Sequence, residues 1–468
     1  CMAAEVQYWA PLAWLGERGE KKGGDWAENV LMTVAADCTW HAITPGTARI
    51  DAPGATVLAG PVLPGVVNAH SHAFQRAIAG LTETSGGQDD DFWSWRDRMY
   101  RAALRITPEQ LQAIATQLYT ELLQGGYTQV CEFHYLHNDT DGQPYADPLE
   151  LSMALVRAAQ ATGMGLTLLP TLYMRSGFGA TGLRQDQRRF AGTPERVPRM
   201  AEAINALKLP HINAGVALHS LRAVDEGALK EVAAAAQHAH WPVHIHIAEQ
   251  VQEVNDCIAH TGQRPIEWLV HTLAGTTAPV DARWNLVHAT HTTTQELSDL
   301  KASGAAIVIC PSTEANLGDG VFDFPGWAGQ GGNWSIGSDS HVTRSLVEEL
   351  RLLEYSQRFA RRQRNMAARL AGVDSTAAAL LDGASLGGAA ATGLGIGGIA
   401  VGQRADLCVM DADAPALAGM PKSHTLDAWA FSSPSAVCAA TVVAGQAVPA
   451  ALPGVQAGYI DAMRRLWT

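Results

Sequence analysis

Short apolar segments recur along the middle of the chain, and most of them precede a segment with helical periodicity. They lie at about 65–72, 128–135, 165–171, 213–219, 242–248, 284–289, 305–310 and 334–338. Apolar runs of this length without strict alternation are typical of strands that are buried on both faces of a parallel sheet. Eight such strands joined by helices predict a closed (β/α)8 barrel rather than an open sheet.

The segments between these strands carry helix signals. The helix predicted at 107–125 begins with a Thr-Pro pair and ends at a Gly-Gly pair. Further helices are predicted at about 263–274, at 344–369 as one long helix, and in the alanine-rich segment 374–392. Residues 73–106 form an insertion rich in aromatic residues and arginine.

The two ends of the chain lack this alternation of strands and helices. Candidate strands lie at 6–12, 28–34, 55–60, 397–411 and 436–445. No helical periodicity is predicted after about residue 395, and the edges of such short strands need cover from elsewhere. We expect residues 1–61 and 395–468 to form one small composite β-sandwich domain, beside a barrel domain of residues 62–394.

Side chains that bind metals stand at the carboxyl ends of several predicted strands. His70 and His72 end the first strand, where positions i and i+2 point the same way. His246 and Asp339 end the fifth and eighth strands. Because the carboxyl ends of barrel strands meet at one face, we predict a metal site formed by His70, His72, His246 and Asp339.

Several residues in and around this set also have simpler interpretations. A His-x-His pair alone is more often a pair of ordinary polar residues, and His244 fits a buried, hydrogen-bonded barrel histidine as well as a ligand. Glu249 alone would most often be a solvated carboxylate at a helix start. The constellation is stronger than its members, because separate strands supply them in the order that a catalytic barrel requires.

The residues around this set suit hydrolysis. A catalytic zinc site leaves room for water and lowers its pKa towards about 7. Glu249, three residues after His246, is the predicted general acid/base that carries a proton to a substrate nitrogen. His288 ends the sixth strand and is predicted to orient the water, and Asp339 could also accept its proton.

Composition and charge limit the classes of partner that we expect. The 468 residues carry a formal net charge of −13, which opposes nucleic-acid binding. No leader pattern and no run of about 18 apolar residues is present, so no membrane partner is expected. The seven cysteines form no Cys-x-x-Cys pair, which argues against a thiolate zinc site and the cytidine-deaminase pattern. Scattered cysteines of this kind indicate a reducing compartment, and we expect a cytoplasmic protein.

Several motifs resemble those of the amidohydrolase superfamily: His70-x-His72, His246-x-x-Glu249, His288, Ser338-Asp339-Ser340 and Gly402-x-x-Ala405-Asp406-Leu407. Binuclear members carry a lysine at the end of strand four, and residues 213–220 contain none. The resemblance therefore implies the mononuclear, deaminase-like branch with one Zn²⁺ per subunit. Fe²⁺ and Mn²⁺ can share such ligands.

Longer stretches are similar to one branch, the formimidoylglutamate deiminases. They are Asn68–Ala77, Phe92–Tyr100, Glu132–His137, His219–Val224 and Cys310–Gly320. The resemblance implies hydrolytic deimination of N-formimino-L-glutamate to N-formyl-L-glutamate and ammonia in histidine degradation, by a homodimer. The substrate is a small anionic dicarboxylate, and planar carboxylates suit the guanidinium groups of Arg96 and Arg222. Further expected substrate contacts are Gln75, Tyr135 and His219.

Other interpretations stay open at the level of sequence. Arg96 could instead form a surface ion pair, because Asp91 and Asp97 are close in the chain. An aromatic-base deaminase of the guanine or cytosine type would need stacking aromatic rings and amide hydrogen bonds rather than two arginines. An inactive barrel scaffold would have lost a ligand or Glu249, and all of them are present.

Overall fold

The computed structural model describes residues 6–16, 23–84, 92–433, 438–449 and 452–468, with the side chains of residues 92 and 93 excepted. Asp91, residues 17–22 between the first two predicted strands, and residues 436 and 437 of the last predicted strand lie outside this part. None of the described helices is both long and apolar enough to cross a membrane.

The described strands, numbered along the chain, fall into two sheets. They are β1 Val6–Leu15, β2 Asp25–Val34, β3 Trp40–Thr44, β4 Thr56–Val57, β5 Val62–Pro64, β6 Val66–Ser71, β7 Tyr127–His134, β8 Gly165–Leu172, β9 Ile212–Ala214, β10 Val216–Ser220, β11 Val243–Ile247, β12 Trp284–His288, β13 Ala306–Ile309, β14 Trp334–Ile336, β15 Leu407–Met410, β16 Cys438–Val443 and β17 Gln446–Val448.

The described α-helices connect and cover these strands. They are α1 Phe92–Ala103, α2 Pro108–Gln124, α3 Glu150–Thr162, α4 Arg196–Ala206, α5 Glu226–Ala239, α6 Val251–Thr261, α7 Pro265–Leu273, α8 Thr294–Ser303, α9 Pro311–Leu317, α10 Phe324–Ala328, α11 Leu346–Arg361, α12 Met366–Ala371, α13 Thr376–Thr392, α14 Thr425–Ser432 and α15 Val455–Trp467. Short 3-10 helices include Ala73–Ala77 and Gln185–Phe190.

The larger sheet is a closed parallel barrel, which confirms the predicted fold. Its strands follow the order β10-β11-β12-β13-β14-β6-β7-β8, and β8 pairs with β10 to close the ring. Every residue of β7 and of β8 is buried, because helices cover the outside of the barrel and side chains fill its inside. The carboxyl ends of eight strands therefore surround one opening.

The smaller sheet joins the two ends of the chain, as predicted. Its order is β17-β16-β15-β5-β1-β2-β3, and β4 pairs with β1. The sheet buries its own apolar cluster, which includes Tyr8, Met32, Trp40 and Leu407. The division into residues 1–61 with 395–468, and 62–394, stays a prediction.

Two predictions about helices are wrong, and one further helix is not predicted. The helix predicted at 344–369 is two helices, α11 and α12, because Arg362 and Asn365 adopt left-handed backbone angles with φ of 53°. The helix predicted at 263–274 is confirmed as α7, but α6, which Gly262 (φ 77°) follows, is not predicted. The helices α14 and α15 lie beyond residue 395, where no helix is predicted.

Candidate active site

Four buried side chains converge at the carboxyl-terminal opening of the barrel, as the sequence predicted. His70 lies on β6, His72 directly follows that strand, and His246 lies on β11. The Nε2 atom of His70 is 3.1 Å from Nε2 of His72 and 3.0 Å from Nε2 of His246. Asp339, beyond β14, places Oδ1 3.4 Å from the Nε2 atoms of His70 and His72.

Hydrogen bonds on the far side of two rings determine which nitrogen faces the centre. Nδ1 of His72 lies 2.9 Å from the carbonyl oxygen of Phe133, and Nδ1 of His246 lies 3.0 Å from that of His219. A carbonyl oxygen can only accept, so each Nδ1 donates a proton to it. Burial lowers the pKa of both rings, which keeps them neutral and leaves a lone pair on each Nε2.

This arrangement fits a metal cation. Burial also lowers the pKa of His70 to about 3, so the central ring is neutral as well. Neutral imidazole nitrogens about 3 Å apart cannot all pair with one another, whereas a cation among them would bind every lone pair. Burial alone would raise the pKa of Asp339, but the imidazoles of His70, His72 and His288 lower it and keep the carboxylate charged. Three nitrogens and one carboxylate oxygen form a donor set that suits zinc.

Glu249 and His288 stand beside this cluster. Nε2 of His288 is 3.7 Å from Oε1 of Glu249 and 3.7 Å from Oδ2 of Asp339. Burial raises the pKa of Glu249 to about 7, which suits a group that both accepts and donates a proton near neutral pH. His288 and Asp339 have φ values of 73° and 48°, an uncommon region for residues other than glycine that is found at functional sites.

One pocket joins the cluster to the predicted substrate residues. Arg96 is brought to it by α1, and Arg222 follows β10. Gln75 comes from the 3-10 helix after β6, Tyr135 directly follows β7, and His219 lies on β10. Arg96 is partly buried, with its guanidinium carbon 5.5 Å from the ring centre of Tyr100. The structure thus brings all five side chains to the same pocket as His72, His246, Glu249, His288 and Asp339.

Several lining residues are not predicted from the sequence, namely Trp95, Met99, Tyr100, Tyr173, Thr313 and Leu317. Tyr173 directly follows β8, the position that indicated Tyr135 after β7, so the same signal was present. Nε2 of Gln187 donates to the hydroxyl oxygens of Tyr100, at 3.1 Å, and Tyr173, at 2.9 Å. This contact joins the insertion to β8 across distant parts of the chain, and no local pattern indicates it.

Two further buried polar residues, His244 and Glu132, lie outside the cluster. His244 points into the barrel below it, where its Nε2 is 2.8 Å from the carbonyl oxygen of Ala391. Glu132 accepts hydrogen bonds from the hydroxyl groups of Ser71, at 2.7 Å, and Tyr119, at 3.2 Å. His244 therefore has a hydrogen-bonding role inside the barrel, and Glu132 joins β6 and β7 to Tyr119 of α2.

The fold and the site together define a barrel hydrolase with a candidate metal centre at the carboxyl ends of its strands. Residues 62–448 match the model of the amidohydrolase family. The chain belongs to this family, and it is a hydrolase that acts on carbon–nitrogen bonds. Members of the family are metal-dependent, and the cluster of His70, His72 and Asp339 is a candidate for the metal site.

Individual relatives agree with this assignment. The chain is 48% identical to the formimidoylglutamate deiminase of Pseudomonas aeruginosa over 90% of its own length and 91% of that protein. It is 28% identical to the 5-methylthioadenosine/S-adenosylhomocysteine deaminase of Halobacterium salinarum, over 80% and 77% of the two chains. The crystal structure of an amidohydrolase from Brucella melitensis superimposes with a TM-score of 0.90 at 40% identity, covering 99% of this chain and 100% of that one.

Proposed function

We propose that this protein hydrolyses N-formimino-L-glutamate to N-formyl-L-glutamate and ammonia, with one zinc ion per subunit, as a step of histidine degradation. The observation that carries the proposal is the joining of two guanidinium groups and the histidine–aspartate cluster in one pocket. The deiminase of Pseudomonas aeruginosa, at 48% identity over most of both chains, supports the same substrate.

The two arginines would bind the two carboxylates of the substrate. N-formimino-L-glutamate carries two carboxylates, and a guanidinium group binds a carboxylate through two parallel hydrogen bonds. Arg222 is buried and Arg96 is half-buried, so both charges would be partly shielded from water when substrate is bound. An uncharged purine or pyrimidine offers no carboxylate to either guanidinium group, which disfavours an aromatic-base deaminase.

His70, His72, His246 and Asp339 are the residues that would hold the metal. A bound zinc ion would lower the pKa of a water molecule and polarise the formimino group. Zinc is favoured over the harder divalent ions, because three of the four donors are imidazole nitrogens. An adenosine deaminase from Xanthomonas campestris, whose crystal structure has a similar fold, was crystallised with bound zinc.

The protein residues move the protons. Asp339 and His288 are placed to orient the attacking water, and Asp339 can accept its proton. Water adds to the formimino carbon, and Glu249, with a pKa of about 7, passes a proton to the departing nitrogen. The carbon–nitrogen bond then breaks, ammonia leaves, and the formyl oxygen comes from water.

The test is ammonia release from N-formimino-L-glutamate by metal-loaded protein and by chelated protein. Metal-dependent release at an ordinary enzymatic rate supports the proposal. The absence of release from protein shown to bind about one metal ion per chain would reject this substrate. The same preparation is then assayed with guanine, cytosine and 5-methylthioadenosine. Ammonia release from one of these compounds, and not from N-formimino-L-glutamate, would indicate an aromatic-base deaminase.

We also propose that the enzyme is a cytoplasmic homodimer. Its scattered cysteines suit a reducing compartment, and the resemblance to the formimidoylglutamate deiminases implies the homodimer. Light scattering coupled to size-exclusion chromatography tests the dimer, and cell fractionation tests the compartment.

A further inference from the structure

We propose that Glu314 is a positioning residue that orients His288 for the hydrolytic step; this inference rests on the proposed function. Glu314 lies on α9, which begins directly after β13. It is not among the residues that line the substrate pocket, whereas His288 is. We therefore expect Glu314 to affect the reaction by orienting His288.

The contact between the two side chains is buried on both sides. Oε1 of Glu314 lies 3.2 Å from Nδ1 of His288, and it also accepts the backbone N–H of Cys310 at 2.9 Å. The two residues are 5% and 1% exposed, so little water competes for the bond. A buried carboxylate with two donors is well fixed, and its second donor belongs to the backbone rather than to a mobile side chain.

Fixing Nδ1 determines where the other nitrogen of the ring points. Since a carboxylate accepts, Nδ1 of His288 carries the proton of this bond. Nε2 then faces the pocket, 3.7 Å from Oε1 of Glu249 and 3.7 Å from Oδ2 of Asp339. Without Glu314, the ring could turn about its χ2 torsion, and Nε2 would lose this direction. Partners of this kind, one bond behind a reacting side chain, usually contribute about 10–100-fold to activity.

A second buried acidic residue near α9 provides a control. It tests whether Glu314 orients His288 or only supports the start of α9. Glu349 on α11 accepts the backbone N–H of Ser312 at 2.9 Å and the hydroxyl of Ser312 at 2.5 Å. This bond attaches the start of α9 to α11 without touching His288 in any contact that the described residues show. Glu349→Gln is therefore a matched control, since it alters a buried carboxylate beside α9 and leaves the Glu314–His288 pair intact.

The experiment compares Glu314→Ala, Glu314→Gln and Glu349→Gln in the metal-loaded full-length enzyme. We expect Glu314→Ala to lower kcat for N-formimino-L-glutamate by about 10–100-fold, with KM and metal content close to those of the unaltered enzyme. Glu314→Gln should retain an intermediate kcat, because an amide oxygen can accept the same two N–H groups. Glu349→Gln should keep kcat within about twofold. Equal kcat losses in Glu314→Ala and Glu349→Gln, or an unchanged kcat in Glu314→Ala, would overturn the proposal.

A readout independent of turnover is the Nδ1–H proton of His288, measured by NMR on ¹⁵N-histidine-labelled protein and assigned with His288→Gln. We expect a slowly exchanging, downfield resonance that Glu314→Ala abolishes and Glu349→Gln preserves. Its persistence in Glu314→Ala would overturn the proposal. If the unaltered enzyme releases no ammonia from N-formimino-L-glutamate, the proposed function fails, and this resonance still decides whether Glu314 orients His288.

Discussion

The Nε2 atoms of His70 and His246 lie 3.0 Å apart, although the two residues are 176 positions apart in the chain. Burial lowers the pKa of each ring and keeps both neutral, and His246 donates its ring proton through Nδ1 to the carbonyl oxygen of His219, so a lone pair on its Nε2 faces His70. A cation beside the two rings would bind the lone pairs that neutral imidazoles offer. The geometry of the barrel opening therefore fits a bound metal cation.

Removal of the metal should both inactivate and destabilise the protein. Chelation should abolish ammonia release and lower Tm, because an ion held at about 1,000 times its Kd adds roughly 4 kcal/mol to the free energy of unfolding. His246→Ala should lose the metal, as measured by elemental analysis. His244→Asn is the control, since His244 bonds to Ala391 instead of facing the cluster. Equal loss of metal from both variants would contradict this assignment.

Glu249→Gln should separate proton transfer from metal binding. The amide has the same shape as the carboxyl group but carries no titratable proton, so kcat should fall by about 10²–10⁴-fold. Metal content should not change, because the cluster is formed by His70, His72, His246 and Asp339. A variant that keeps kcat within about tenfold of the unaltered enzyme would show that another group transfers the proton.

Loss of either pocket arginine should weaken substrate binding. Hydrogen bonds to charged groups contribute about 1.5–3 kcal/mol, so Arg96→Met and Arg222→Met should each raise KM by roughly 10–100-fold. Arg101→Met is the control, because Arg101 is exposed on the same helix as Arg96. Steady-state kinetics with the dicarboxylate substrate measures the effect. An unchanged KM in Arg96→Met would favour the surface ion-pair interpretation of that residue.

Glu349 should make the stability depend on pH. Burial raises its pKa to about 8, above the ordinary value of 4.5, so the folded protein binds a proton that the unfolded chain releases between these values. This contribution to stability is full below about pH 4.5 and is lost as the pH rises towards 8. Glu349→Gln should therefore flatten the decline of the free energy of unfolding over this range, measured by denaturant titration. An identical slope in both proteins would contradict the raised pKa.

The helices show how far local signals extend. The start of α2 is predictable because Thr107 caps it and its side chain accepts the N–H of Gln110. The helices α14 and α15 follow His424 and Gly454, neither of which caps its helix with a side chain, so their starts carry no comparable signal in the sequence. Packing stabilises α15 instead, for example where the hydroxyl of Tyr459 accepts a hydrogen bond from Arg76 at 2.9 Å.

By itself, the sequence determined the barrel and the groups at its opening. Buried parallel strands are continuous apolar runs, and their carboxyl ends meet at one face of a barrel. The proximity of His70, His246 and Asp339 was therefore predictable from the sequence. Only the tertiary structure decided that Gln187 holds Tyr100 and Tyr173, and that Glu314 faces His288. These contacts depend on the course of loops and on side-chain directions across elements distant in the chain, which no periodicity along the chain encodes.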